Sequence, residues 1–354
     1  MKNREEKMKK LELREWYLLN SLLGHKDMLF YLLLGGRERG KSYAVTNCYC
    51  NQFIRYGRPF YWLRLSAESA RKLLVNNAEK LIDPDLRRKY KLELWTHGDA
   101  VYNVKRNEKG KIIEKKLMCR VLALATFYND KGSGLFDKDF LNDPNMYYNI
   151  CLDEMNREKS EKRSFDIVYC LVNELENIIR STKRRVRIIC IGNVLEEASD
   201  ILCAFNFIPE KPGRYTLRKK RAIIEYIENN EAYKKRRQGT VADILTPEAS
   251  TFTNEIKVDA SLVYKGRCVK PTYIIKFSKN KADWFTMWDS KVIHKYNNEK
   301  LHNVIPMRPY LDELFDAQRR DAIFKAFDTR VFYYKDLITF KKFQQALSLL
   351  RPRS

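Results

Sequence analysis

The sequence holds no Cys-x-x-Cys pair, and its four histidines stand far apart, at His25, His97, His294 and His302. Neither pattern supplies the clustered thiolate and imidazole ligands of a zinc site. The eight cysteines lie mostly inside apolar runs, Cys151, Cys190 and Cys203 among them, which reads as reduced, partly buried thiols of a cytosolic protein. No apolar run approaches the ~20 residues of a membrane-spanning helix. The start, MKNREEKMKKLELREWYLLN, mixes acids with bases and lacks the continuous apolar core of a signal peptide. These absences predict a soluble chain with no membrane partner. Negative charge is also scarce: 45 Asp and Glu face 68 Lys and Arg, a formal net charge of +23 over 354 residues. That imbalance points to a polyanionic partner, nucleic acid first. With 44% apolar residues the chain can bury a real core, and its length suits two domains with a small module between them.

Apolar runs at 27–34, 58–66, 146–155 and 186–193 read as strands, and residues 41–56, 67–82 and 164–182 as helices. Residues 4–23 read as an amphipathic helix with Leu11, Leu13, Trp16, Leu19 and Leu22 on its apolar stripe. The region 91–125 resembles a β-meander turning at RNEKGK, 106–111. Apolar strands alternating with helices predict an α/β domain over residues 1–210, its parallel sheet covered on both faces. Residues 211–237 carry ten Lys or Arg against three Glu, with an apolar-periodic piece at 222–227. This predicts a basic helical linker over 211–245, followed by an α+β domain over 246–354. Its short strands are PTYIIKFS and WFTMWDS, with helices near 309–327 and 335–350.

The most informative stretch is YLLLGGRERGKSYAV, residues 31–45. Gly35, Gly36, Arg37, Glu38, Arg39, Gly40, Lys41 and Ser42 match G-x-x-x-x-G-K-[ST] in full, after a buried strand and before a helix. Gly35 and Gly40 let the backbone curl so that its N–H groups meet phosphate oxygens, Lys41 reaches the β- and γ-phosphates, and the Ser42 hydroxyl ligates Mg²⁺. The second half of such a site is an apolar strand ending in an acid. NICLDE supplies Asp153 for Mg²⁺ and Glu154 as the base that orients the attacking water. One more strand, IICIGN, ends in Asn193, placed to sense the γ-phosphate. Together these features predict a P-loop ATPase domain with an added strand and a catalytic glutamate, using ATP and Mg²⁺. The polar loop FYNDKGSGLFD, 127–137, lies between the meander and the magnesium strand. Its Lys131 is a candidate for gripping a DNA phosphate, and the basic stretch 211–237 competes for that role.

The segments GGRERGKSYAVTNCYCNQFIRYGRPFYWLR, NICLDEM and IIRSTKRRVRIICIGNVLEEASDILCAFNFIP together resemble the φ29-type phage DNA-packaging ATPases, the encapsidation proteins of small tailed phages. The similarity covers roughly residues 25–210. The resemblance implies a ring motor, usually pentameric, in the host cytoplasm, attached transiently to the portal vertex of a prohead. It implies double-stranded DNA, the portal or connector protein and a structural packaging RNA as partners. It also implies a C-terminal domain that docks on portal and RNA and resembles an RNase H-type nuclease without its acids. Within it, Arg37 matches an arginine also found in phage terminase motors, and Arg180 matches a trans-acting arginine finger. The match needs one inserted residue before Val186, which leaves Arg184 and Arg185 as alternatives. A family basic residue just after FYWLR falls on LSAES, where this chain has no Lys or Arg.

Two other readings remain open from sequence. One is a terminase-like motor with an active nuclease built on Asp259, Asp283, Asp289 and Asp312, if these converge. The other is a nucleic-acid-binding assembly protein whose ATP site is only a switch, a reading that Glu154 argues against.

Overall fold

The computed structural model describes residues 16–129, 148–156, 165–179, 186–193, 199–209, 211–245, 262–297, 301, 303–311, 314–348 and 350. Lys131, Arg180, Arg184, Arg185, Asp259, Asp312 and most of the helix expected over 4–23 lie outside the described residues. By internal contacts the chain divides into two units, Met1–Leu195 with Pro209–Ile256, and Glu196–Ile208 with Lys257–Ser354.

In the first unit, β1 (Phe30–Gly35) leads through a glycine turn into α1 (Lys41–Tyr56). Gly57, at φ +65, ends α1 and donates its N–H to the Phe53 carbonyl, a left-handed cap that glycine adopts without strain. Next come β2 (Phe60–Arg64), α2 (Ala67–Ala78), α3 (Pro84–Tyr90), β3 (Leu94–His97), β4 (Ala100–Arg106) and β5 (Ile112–Ala123). Then follow β6 (Tyr148–Asp153), α4 (Ile167–Ile179) and β7 (Val186–Asn193). After α5 (Asp200–Ala204), which belongs to the second unit, the chain forms β8 (Gly213–Leu217), β9 (Ala222–Tyr226), α6 (Glu231–Arg237) and α7 (Val241–Leu245).

Among the described residues, nine strands make one sheet in the order β3-β4-β5-β2-β6-β7-β1-β9-β8. From β5 to β9 every neighbouring pair is parallel, with antiparallel strands at both margins. Tyr31 and Leu33 of β1, Phe60 and Trp62 of β2 and Ile189 of β7 pack with Tyr49 and Phe53 of α1. Residues of the opposite parity, such as Leu32, Tyr61, Ile150 and Ile188, are buried just as fully. Both faces are therefore covered, as continuous apolar strands require. The meander is present as β3-β4-β5, and its turn closes where Gly110 donates to the Asn107 carbonyl.

Two expectations are corrected here. Of the helix expected over 4–23, the described part is helical only at Asn20–Leu23. The stretch read as a helical linker forms instead a β-hairpin of the main sheet followed by two short helices. AIIEYI is a β-branched run buried on both faces, and such a run has no true helical period. Pairing of Ile223 with Tyr31 and of Ile224 with Leu32 places β9 directly beside β1.

In the second unit, β10 (Pro271–Lys276), β11 (Trp284–Trp288), β12 (Val292–Lys295), β13 (Ile305–Met307) and β14 (Tyr333–Tyr334) form a sheet in the order β13-β10-β11-β12-β14. Helices α8 (Leu314–Asp328) and α9 (Leu337–Ser348) complete an α+β layer. Ile275, Phe285 and Ile293 form its core with Phe343 of α9. Asp200 of α5 accepts from Gln345 at 2.9 Å and pairs with Lys341 at 3.3 Å, so α5 is tied to α9. None of the described helices is long and apolar enough to cross a membrane. All eight cysteines are free thiols.

If β9 is structural, Ile224→Ala should lower unfolding free energy by about 2–5 kcal/mol, as for other fully buried aliphatic truncations. Urea unfolding of the whole chain measures this. A change within about 0.5 kcal/mol, the usual range for an exposed position, would mean that β9 is not part of the sheet.

Candidate phosphate-binding site

The site begins where β1 stops. The turn between β1 and α1 has Glu38 and Gly40 in the left-handed region, at φ +60 and +76. Alternating turns of this kind gather main-chain N–H groups into an anion-binding nest. Lys41 opens α1 and is 5% exposed. Its Nζ donates to the Gly35 carbonyl at 2.9 Å, the Gly36 carbonyl at 2.7 Å and Asn193 Oδ1 at 3.2 Å. Burial pulls the pKa of this ammonium down to about 8; Asp153 opposes that shift, and Arg39 and Arg37 add to it.

The next residue, Ser42, donates from Oγ to Asp153 Oδ1 at 3.1 Å. Asp153 ends β6, and β7 is inserted between β6 and β1. Asn193 ends β7 opposite Gly35, in register to meet Lys41.

Successive strand residues point to opposite faces, so Asp153 and Glu154 should diverge. They do not. Glu154 sits at φ +59, and Met155 N–H returns to the β7 ladder at the Ile191 carbonyl. This kink lets one guanidinium hold both carboxylates: Arg64 Nη1 lies 2.8 Å from Asp153 Oδ2, and Arg64 Nη2 lies 2.8 Å from Glu154 Oε2. Sequence reading missed Arg64. The signal was a lone cation ending the apolar strand FYWLR, since a cation in a buried strand has to be paired. That strand, β2, is the neighbour of β6.

A second layer holds the turn from behind. Tyr233 of α6 donates its hydroxyl to the Arg37 carbonyl at 2.7 Å. Arg236 donates to the Glu38 carbonyl at 2.6 Å, and Arg237 pairs with the Glu38 carboxylate at 2.9 Å. Arg39 is 6% exposed; it donates to the Glu228 carbonyl and lies 5.1 Å from the Tyr233 ring. A Cβ on Gly36 would fall 2.7 Å from the Tyr233 hydroxyl oxygen, so a side chain there would displace Tyr233 from the turn.

These groups enclose a cavity of about 420 Å³, lined by residues 37–43, Asp153, Glu154, Asn193, Trp16 and Arg236. Four cations in its wall, Arg37, Arg39, Lys41 and Arg236, suit a polyanion. The Ser42 hydroxyl beside the Asp153 carboxylate offers hard oxygen ligands of the kind Mg²⁺ takes. No group of three His, Cys, Asp or Glu that could hold a metal occurs among the described residues. Every motif residue singled out in 35–42, with Asp153, Glu154 and Asn193, thus belongs to one locale.

A parallel-rich mixed α/β sheet, with this turn and an acidic strand beyond an inserted one, is consistent with a P-loop fold. The chain belongs to the podovirus DNA encapsidation protein (Gp16) family, whose model matches residues 12–316. It is 26% identical over 193 residues to the DNA packaging proteins of Bacillus phages PZA and phi29, covering 54% of this chain and 50% of each of theirs. The chain thus spans about half the length of those curated relatives. In fold it is similar to the bacteriophage Phi-29 viral genome packaging motor assembly, with a TM-score of 0.62 at 19% identity, over 96% of this chain and 100% of that one. The Phi-28 gp11 DNA packaging motor matches equally well, with a TM-score of 0.62 at 16% identity, over 96% and 99% of the two chains.

Two outcomes follow from this geometry. The free Lys41 ammonium loses its proton as pH rises through about 8, while a bound polyphosphate favours the charged form. Binding above that pH therefore takes up a proton, and polyphosphate affinity should fall by up to about tenfold per pH unit there. Calorimetry in buffers of different ionisation enthalpy reads the uptake; an affinity unchanged through pH ~10 would remove Lys41 from the site. Separately, Arg64→Met leaves Asp153 buried without its partner and should cost about 3–5 kcal/mol of stability. Millimolar Mg²⁺ should restore part of that loss in thermal unfolding, and a variant as stable as the parent would show the ion pairs to be incidental.

Proposed function

We propose that this chain hydrolyses ATP at the site above and uses the work to move double-stranded DNA into a phage prohead, as a subunit of a ring. The observation that carries this reading is the gathering of Lys41, Ser42, Asp153, Glu154 and Asn193 around one cationic cavity in a member of an encapsidation family. Lys41 binds the β- and γ-phosphates, and Ser42 and Asp153 hold Mg²⁺. Bound there, the ion neutralises phosphate charge in the transition state. Glu154 orients the attacking water. Asn193, already bonded to Lys41, reports the state of the γ-phosphate to the end of β7. Arg37 adds charge at the turn.

Arg64 gives Glu154 a resting position. The guanidinium holds both carboxylates, so Glu154 is turned toward β2. Asp153, which would hold Mg²⁺ with Ser42, shares its carboxylate with Arg64, so Arg64 would tie the metal-holding acid to Glu154.

The trans-acting arginine is assigned to Arg180, with Arg184 and Arg185 as alternatives, and Lys131 to the DNA backbone. The ring is taken as a pentamer on the portal vertex, joined by a packaging RNA. The second unit is proposed as the docking unit, derived from a nuclease fold that no longer cuts. In support, two of the acids available for cleavage are occupied in turns. Asp283 accepts from the Ser278 hydroxyl at 2.6 Å, and Asp289 accepts the N–H groups of Val269 at 3.0 Å and Lys270 at 2.9 Å.

The test compares binding with turnover. Lys41→Ala should lose ATP binding, whereas Glu154→Gln should bind ATP normally and turn it over ~10²–10⁴-fold more slowly, the range for a lost general base. DNA-stimulated phosphate release and nucleotide affinity are measured side by side. Normal hydrolysis by Glu154→Gln would refute the assignment.

A further inference from the structure

The phosphate end of the cavity is accounted for by the turn and the two acidic and polar strand ends, yet its wall also contains a tryptophan that no phosphate chemistry needs. Trp16 is 53% exposed, an unusual state for so large an apolar ring. It is also held in place. The neighbouring Tyr17 donates its backbone N–H to the Arg39 carbonyl at 3.0 Å, and its buried side chain reaches Glu225 on β9 at 3.1 Å. Trp16 thereby lies against the turn itself, so close that a Cβ on Gly40 would fall 2.9 Å from its ring. Over the ring lies the Arg236 guanidinium, 4.1 Å from the centroid. Arg236 is fixed in turn by its bond to the Glu38 carbonyl.

We infer that Trp16 and Arg236 form the base site of the nucleotide, taking a purine ring by stacking. The inference rests on the nucleotide reading of the turn proposed above. A flat indole carrying a planar cation, both anchored to the glycine turn, presents a π-surface in the wall of the cavity that Lys41 also lines. Stacking of a base on an aromatic face is worth enough to raise affinity several-fold to a hundredfold, and it grows with ring area, so it favours purines over pyrimidines. Among the described residues the other aromatic in the cavity wall is Tyr43. Tyr43 also lines a second cavity with Asp83 and Leu86 beside α3, whereas Trp16 carries the Arg236 guanidinium and lies against the turn, which makes Trp16 the stacking surface.

The experiment measures binding of ATP, CTP and inorganic tripolyphosphate, each with Mg²⁺, to the whole chain and to Trp16→Ala, Trp16→Leu and Trp16→Phe. The parent should bind ATP more tightly than CTP. Trp16→Ala and Trp16→Leu should each lose about tenfold in ATP affinity, keep tripolyphosphate affinity, and no longer separate ATP from CTP. Trp16→Phe should recover most of the difference. Leu keeps apolar bulk over Gly40, so it preserves the test if Ala unfolds the segment. Equal losses for ATP and tripolyphosphate would make Trp16 a mere prop for the turn and overturn the inference, as would unchanged ATP affinity. A parent that binds tripolyphosphate but prefers no nucleotide over it overturns the base site alone. A parent that binds neither overturns the nucleotide reading itself.

Discussion

The buried ammonium of Lys41 is the constraint around which the first unit is arranged. A lysine 5% exposed is costly to keep charged, and among the described residues its hydrogen-bond partners are two carbonyls and an amide oxygen. Those partners come from the end of β1, the start of the glycine turn and the end of β7. The charge therefore ties two adjacent parallel strands to the loop between β1 and α1. Burial lowers its pKa to about 8, Asp153 opposes the shift, and Arg39 and Arg37 add to it. Under the proposed function, a phosphate in the cavity would provide the counter-charge that the carbonyls cannot. It would also compete with them for the same three N–H groups, which now bond Gly35, Gly36 and Asn193.

A second economy of parts lies on the other side of the inserted strand. One left-handed residue, Glu154, breaks the strand alternation and turns two carboxylates toward one guanidinium. A non-glycine residue in that region costs roughly 1–2 kcal/mol. The two ion pairs to Arg64 and the return of Met155 N–H to β7 hold it there. The strain thus belongs to the site and to the placing of its second acid.

The strap formed by α6 gives the basic stretch after β9 a role other than solvation. Tyr233, Arg236 and Arg237 bond the carbonyls and the carboxylate of residues 37 and 38, while Arg39 reaches back to Glu228. A shift in the phosphate turn would meet resistance from the last helices before the chain leaves the first unit. Much of the charge that suggested a polyanionic partner is, at these positions, spent on the protein's own main chain.

By itself the sequence determined the phosphate turn, its flanking strand and helix, and the two acids on NICLDE. These are local statements: glycines where the chain must curl, an apolar run short enough for one strand, a hydroxyl beside a lysine. The helix over 41–56 and the strand over 186–193 were legible to the residue for the same reason. AIIEYI was not, because an apolar run buried on both faces has no period that separates helix from strand, and only its ladder to β1 decides. Arg64 was not, because nothing in FYWLR says which strand will lie beside it. Its meaning comes from β6 falling next to β2, 89 residues apart in the chain. Trp16, read as one apolar residue of a helical stripe, is instead part of a cavity wall because Tyr17 is bonded to Arg39. Sequence determines what a residue can do chemically; which partners it meets is set by strand order, a property of the closed sheet.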